Sequence, residues 1–116
     1  MDRCDCKEEI SENIEYEALC RQYSREDVDE VVELMADVLC TTRPTVRIGG
    51  EDIPAEQVQE RFRQLDNGHL EYVFDCLRGN ATQIHNIRAY LLTALYNAPV
   101  TINSYYRAAV QHDFGP

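Results

Sequence analysis

A mainly α fold of about six helices, carrying one small β-hairpin near residues 45–53, is what this sequence predicts. Three observations point to it. Apolar residues recur every three or four positions along most of the chain, as on one face of a helix. Between Thr45 and Ile53 that spacing gives way to alternation around Gly49-Gly50. The breaks between the periodic segments are short, as in a compact bundle. With 116 residues, 44% of them hydrophobic, the chain has apolar material for one core and is not composed like a disordered segment.

The elements follow in order. Residues 1–6 are expected to be a flexible tail or the artificial start of an expressed fragment, and 7–116 a single helical domain. Lys7 to Gln22 carries a weak helical pattern through Ile10, Ile14 and Leu19. Ser24, with Asp27 three residues on, has the spacing of a capping box. The stripe Val28, Val31, Val32, Met35, Val38 and Leu39 then predicts a core-facing helix ended by Pro44. In the hairpin, Val46, Ile48 and Ile53 should lean on the helices, because a two-stranded ribbon alone is marginal in water.

Pro54 suits the first turn of the next helix, where its missing N–H costs nothing, and Val58, Phe62 and Leu65 form the stripe. Asp66-Asn67-Gly68 predicts a break. Leu70, Val73, Phe74 and Leu77 mark a further helix ended by Gly79-Asn80. Ile84, Ile87, Leu91, Ala94, Leu95 and Ala98 mark the most apolar one, with apolar flanks that suggest a central position and Pro99 as its stop. Thr101 is placed to cap a last helix through Ile102, Tyr105, Tyr106, Ala109 and Val110.

Charge is distributed unevenly. Residues 1–37 hold 13 acids and 4 bases, whereas residues 79–116 hold 1 and 2, within a net charge of -10. The acidic third repels nucleic acid, whose phosphates bind Lys and Arg, so any such contact needs a local basic patch. Cys4, Cys6, Cys20, Cys40 and Cys76 show no disulfide-framework spacing and no apolar signal segment precedes them; reduced thiols in the cytoplasm are expected. Cys4-Asp5-Cys6 together with His69, His85 and His112 lacks the paired clusters of a structural zinc site, so no metal or cofactor is expected.

No catalytic constellation emerges. Gly49-Gly50 lacks the Lys-Ser/Thr of a phosphate loop. Tyr105-Tyr106 has no accompanying His-x-His to hold the metal of a DNA-nicking tyrosine. Arg43, Arg47, Arg61 and Arg63 gather in sequence around the hairpin, but Glu51, Asp52, Glu56 and Glu60 offer them partners within the domain. Aromatics beside arginines could stack single-stranded bases, though packing accounts for most of these rings, and an exposed aromatic patch for a protein partner fits better than either nucleic-acid reading. Arg88, Tyr90, Tyr96, Tyr105, Tyr106 and Arg107 are the candidate surface, partly exposed across the last two helices.

Five segments carry a resemblance: Glu12-Asn13-Ile14-Glu15-Tyr16, Val31-Val32-Glu33-Leu34-Met35, Val46-Arg47-Ile48-Gly49-Gly50-Glu51 with Pro54-Ala55-Glu56, His69-Leu70-Glu71-Tyr72-Val73-Phe74-Asp75-Cys76, and, most specific, the run from Ile84 to Tyr106. In this order they resemble the domain that closes the replication initiator A proteins of firmicute plasmids and integrative elements. The resemblance implies a non-enzymatic C-terminal domain that engages host replication proteins, a primosome component or helicase loader, or assembles the initiator at its origin. A winged-helix domain that reads the origin precedes it in such initiators. Some of these domains look like the helical domains of primosomal proteins, whose motif spaces Tyr, Ile and Trp by four. Here Tyr90, Ala94 and Ala98 hold that spacing and the chain has no Trp. Single-stranded DNA binding through the aromatics and arginines of the last two helices is the alternative; no membrane contact is expected.

Far-UV circular dichroism checks the fold class: a helix-dominated spectrum is expected, and one dominated by strand refutes it.

Overall fold

The computed structural model describes residues 3–80 and 86–114, with side chains for 3–79 and 86–101. These residues form six helices and one antiparallel hairpin, in the order α1 (Arg3–Ile14), α2 (Tyr16–Gln22), α3 (Arg25–Leu39), β1 (Thr45–Ile48), β2 (Glu51–Pro54), α4 (Ala55–Arg63), α5 (Asn67–Asn80) and α6 (Ile87–Phe114). The predicted class holds, but the helices are divided differently.

At the N-terminus, the expected tail is helical from Arg3, and the single helix expected over Lys7–Gln22 is two. Cys6, Ile10 and Ile14 lie one turn apart on α1 and are all buried, which gives the first turn a reason to dock. Glu15 then takes the left-handed conformation at φ 54° and ψ 64°. That conformation costs a non-glycine residue about 1–2 kcal/mol. The reversal lets Leu19 and Tyr23 reach the core from a second direction. Asn67 Nδ2 donates to the Ile14 carbonyl at 3.1 Å, so the first residue of α5 satisfies the broken end of α1.

The centre of the bundle is α3, not the last apolar stretch. Ser24 caps it by accepting from the Asp27 N–H at 3.4 Å. Val28, Val31, Val32, Leu34, Met35, Ala36, Val38 and Leu39 are all buried, and α1, α2, α4 and α6 pack against this helix.

The hairpin forms as its glycines predict. Gly49 and Gly50 both have positive φ, 59° and 85°, as a two-residue turn matched to strand twist demands. Val46 pairs with Ile53 and Arg47 with Asp52. Ile48 is buried, Val46 and Ile53 are half-buried against the core, and the Gly49 N–H donates to Thr93 Oγ1 at 3.1 Å. The hairpin is thereby fixed to α6.

Two boundaries differ from expectation for readable reasons. Pro54 ends β2 and stands just before α4 rather than within its first turn. Asp66 caps α5: its Oδ1 accepts from the His69 N–H and its own N–H donates to His69 Nδ1, both at 3.1 Å. Asn67 and Gly68 therefore belong to the first turn of the helix instead of a break before it.

The two helices predicted on either side of Pro99 are one, α6. A proline removes one N–H from the ladder. The N–H it removes is the one that would meet the Leu95 carbonyl; at the neighbouring Tyr96 carbonyl, Arg61 Nη1 from α4 donates at 3.1 Å. Leu91, Leu95 and Ala98 are the buried stripe of α6, while Ile87 (49%) and Val100 (57%) are exposed. The expected start at Ile84 lies outside the described residues; Asn86 caps the helix, its Oδ1 accepting from the Ala89 N–H at 3.0 Å.

Phe62 is among the largest fully buried side chains. Phe62→Ala should destabilise the fold by about 3–5 kcal/mol, measured by urea denaturation; a loss below about 1 kcal/mol would contradict the packing described.

Candidate functional site

Three arginines from three parts of the chain meet at one groove. Asp37 and Val38 come from the last turns of α3, and Thr41 and Arg43 from the segment after it. Thr45, Val46 and Arg47 come from β1, and Arg88 and Leu92 from the first turns of α6. The groove holds about 360 Å³. Its geometry follows from the hairpin's anchoring, because the Gly49–Thr93 bond holds β1 beside α6 while Leu39 and Cys40 end α3 behind it.

The charges around it are ordered. Asp37 is shared: Oδ1 accepts from Arg3 Nη1 at 2.6 Å, and Oδ2 accepts from Arg88 Nη2 at 3.4 Å. Arg3 also reaches Glu33 at 2.5 Å, and Lys7 pairs with the same carboxylate. Hydrogen bonds from Lys7 and then Arg3 hold Glu33 below the usual carboxylate range, and the bonds to Glu33 and Asp37 raise Arg3. Arg47 pairs with Asp52 across the hairpin at 3.2 Å, as the register places them opposite each other. Arg43 is exposed and its guanidinium has no partner among the described residues. On a chain of net charge -10, this corner is locally basic.

Of the six residues predicted as a surface, Arg88, Tyr90 and Tyr96 have described side chains, and these three differ in exposure. Arg88 is solvent-facing and lines the groove, though tied to Asp37. Tyr90 is half-buried and packs against the core. Tyr96, expected to be partly exposed, is buried: Gln57 Nε2 donates to its hydroxyl at 2.5 Å, and the Arg61 guanidinium lies 4.0 Å from its ring centroid. A tyrosine whose hydroxyl and ring face both find partners inside the bundle is stable there, and this one ties α6 to α4. The side chains of Tyr105, Tyr106 and Arg107 lie outside the described residues.

Arg43, Arg47 and Asp37 were not among the predicted site residues. The pairing of Arg47 with Asp52 was legible, since they flank a two-residue turn symmetrically. The meeting of Arg43 with Arg88 was not, because only the folded bundle brings these distant positions together. Arg61, grouped in sequence with the hairpin arginines, turns instead to Tyr96.

Among known families, one fits residues 4–115, that is, the bundle from the first turn of α1 to the end of α6; its description is a family of unknown function, DUF6017. The chain belongs to DUF6017. Neither the curated proteins nor the solved structures yield a match. The extent of DUF6017 includes Cys4 and Cys6, which the sequence alone places in a tail. Among the described residues, no helix is long and apolar enough to cross a membrane, and no group of three or more His, Cys, Asp or Glu could hold a metal.

The charge network sets a pH dependence. Because the folded pKa of Glu33 is lowered, its pairing supports the fold above the unfolded value of about 4.3. That support fades as the pH falls below it and is gone once the pH has passed the lowered folded value as well. Glu33→Gln should lower the Tm by a few degrees at pH 7, and the gap to wild type should narrow as melts go below about pH 4 and close where Glu33 is protonated in the folded state too. A gap that persists there would show that Glu33 acts through something other than its charge.

Proposed function

We propose that this chain is a non-enzymatic interaction domain of a plasmid or mobile-element replication initiator. In this reading it recruits a host primosome or helicase-loading protein, or assembles the initiator at its origin. The resemblance to initiator C-terminal domains supplies the setting. The observation that carries the binding role is the convergence of Arg43, Arg47 and Arg88 in one solvent-open groove of an otherwise acidic molecule.

Guanidinium groups bind carboxylates through paired N–H donors, and do so most strongly where water is partly excluded. Val46 and Leu92 add apolar contact beside them. The partner that fits is an acidic protein segment with an apolar side chain among its carboxylates. Binding by such a surface depends on salt, since exposed charges are screened over about 8–10 Å at physiological ionic strength. Single-stranded DNA is a weaker fit, because a stacking surface would draw on Tyr96, whose ring is buried.

Arg43→Ala tests the reading without disturbing the fold's own pairs. Binding of the purified host helicase loader or primosome component should weaken by about tenfold, equivalent to 1.4 kcal/mol, with the Tm within a few degrees of wild type. Unchanged binding would remove the groove from the interface. Submicromolar binding of a single-stranded oligonucleotide in about 0.1 M salt, falling steeply as salt rises, would favour DNA over a protein partner.

A further inference from the structure

We propose that Cys6 and Cys40 form a redox modification site, at which a peroxide-class oxidant joins the two thiols into an intramolecular disulfide. Cys6 stands in the first turns of α1 and is fully buried; Cys40 caps the C-terminal end of α3 and is half-buried. Their Sγ atoms lie 3.2 Å apart across the α1–α3 interface, although the residues are 34 positions apart in sequence. A disulfide bond is about 2.05 Å long, so closure asks for a movement of only about 1.2 Å (3.2 less 2.05). Both cysteines are reduced in the structure.

The unequal exposure of the two sulfurs orders the chemistry. Cys40 is the one an oxidant in solvent can reach. Burial first, and then the contact with Cys40, pushes the Cys6 thiol up to about 11, so it stays protonated and inert towards solvent. The Cys40 sulfur attacks one peroxide oxygen and the O–O bond breaks. The second oxygen leaves as water with the thiol proton, and Cys40 becomes a sulfenic acid. The Cys6 sulfur then attacks Cys40 Sγ, the S–O bond breaks, and the departing hydroxide takes the Cys6 proton as a second water. Two thiols and one hydrogen peroxide become one disulfide and two waters, with two electrons passing from the sulfurs to the peroxide; an organic hydroperoxide would release its alcohol in place of the first water.

The product staples α1 to the end of α3. Cross-linking positions this far apart restricts the unfolded chain, so the oxidised protein is the more stable form. Cys4 shares a tryptic peptide with Cys6, residues 4–7, so the test uses the otherwise intact chain in a Cys4→Ser background. After hydrogen peroxide treatment under native conditions and alkylation, digestion without reductant should yield residues 4–7 linked to residues 26–47. The Tm should rise by at least about 5 °C and fall back on adding dithiothreitol. Cys6→Ala and Cys40→Ala should each abolish the linkage and the rise. A covalent dimer, a linkage to another cysteine, or sulfinic acid on Cys40 without a linkage would overturn the proposal.

Discussion

The architecture depends on the burial of α3. Eight of its 15 residues are removed from water, and four other helices pack against it. At about 1.5–3 kcal/mol for each large side chain fully buried, this one stripe is a major part of the driving force for folding. It also explains features that look costly on their own. Glu15 accepts a left-handed backbone because the turn lets both α1 and α2 reach this core. The first turn of α1, polar along most of its length, is helical because Cys6 and Ile10 lie against it while Arg3 and Lys7 neutralise Glu33 and Asp37.

Polar groups secure what the apolar stripe collects. Tyr23 joins α2 to α5: its hydroxyl donates to Asp75 Oδ1 at 2.9 Å, its ring stacks on Phe74 at 4.7 Å, and Arg78 covers the ring at 4.5 Å. Burial, then the bond to Asp75, pushes its phenol up to about 12, so it remains a donor throughout the neutral range. Tyr96 does the equivalent between α6 and α4. Both tyrosines meet the rule that a buried hydroxyl needs a partner. This explains why a chain with seven tyrosines does not display them all as a surface.

Local basicity in a globally acidic protein is the feature with functional consequence. The acids are concentrated on the first three helices, where several are consumed by Arg3, Lys7 and Arg25. The stretch from Val38 to Gly50, with Arg43 and Arg47, and the start of α6 escape that concentration. A long-range field that repels polyanions can thus coexist with a short-range groove that selects carboxylates, since the field is screened over distance and the groove acts at contact.

What the sequence alone determined is what local physics determines. The period of three and four predicted α3, α4 and α5, and the switch to alternation predicted the hairpin, with Gly49-Gly50 naming its turn. Ser24 marked the start of α3, because capping is a contact between neighbours in the chain. Three places depart from the sequence expectation. Pro99 predicts a stop, yet α6 runs through it; Asn67 predicts a break, yet the local contacts between Asp66 and His69 cap the helix it begins. Cys6 is expected in a tail, and only the packing of α1 on α3 sets it against Cys40. The groove was legible in part: Arg88 was named, while Arg43, Arg47 and Asp37 join it through folding alone. Periodicity reports which face of an element is buried; which faces meet is a property of the whole bundle, because it depends on contacts between residues far apart in the chain.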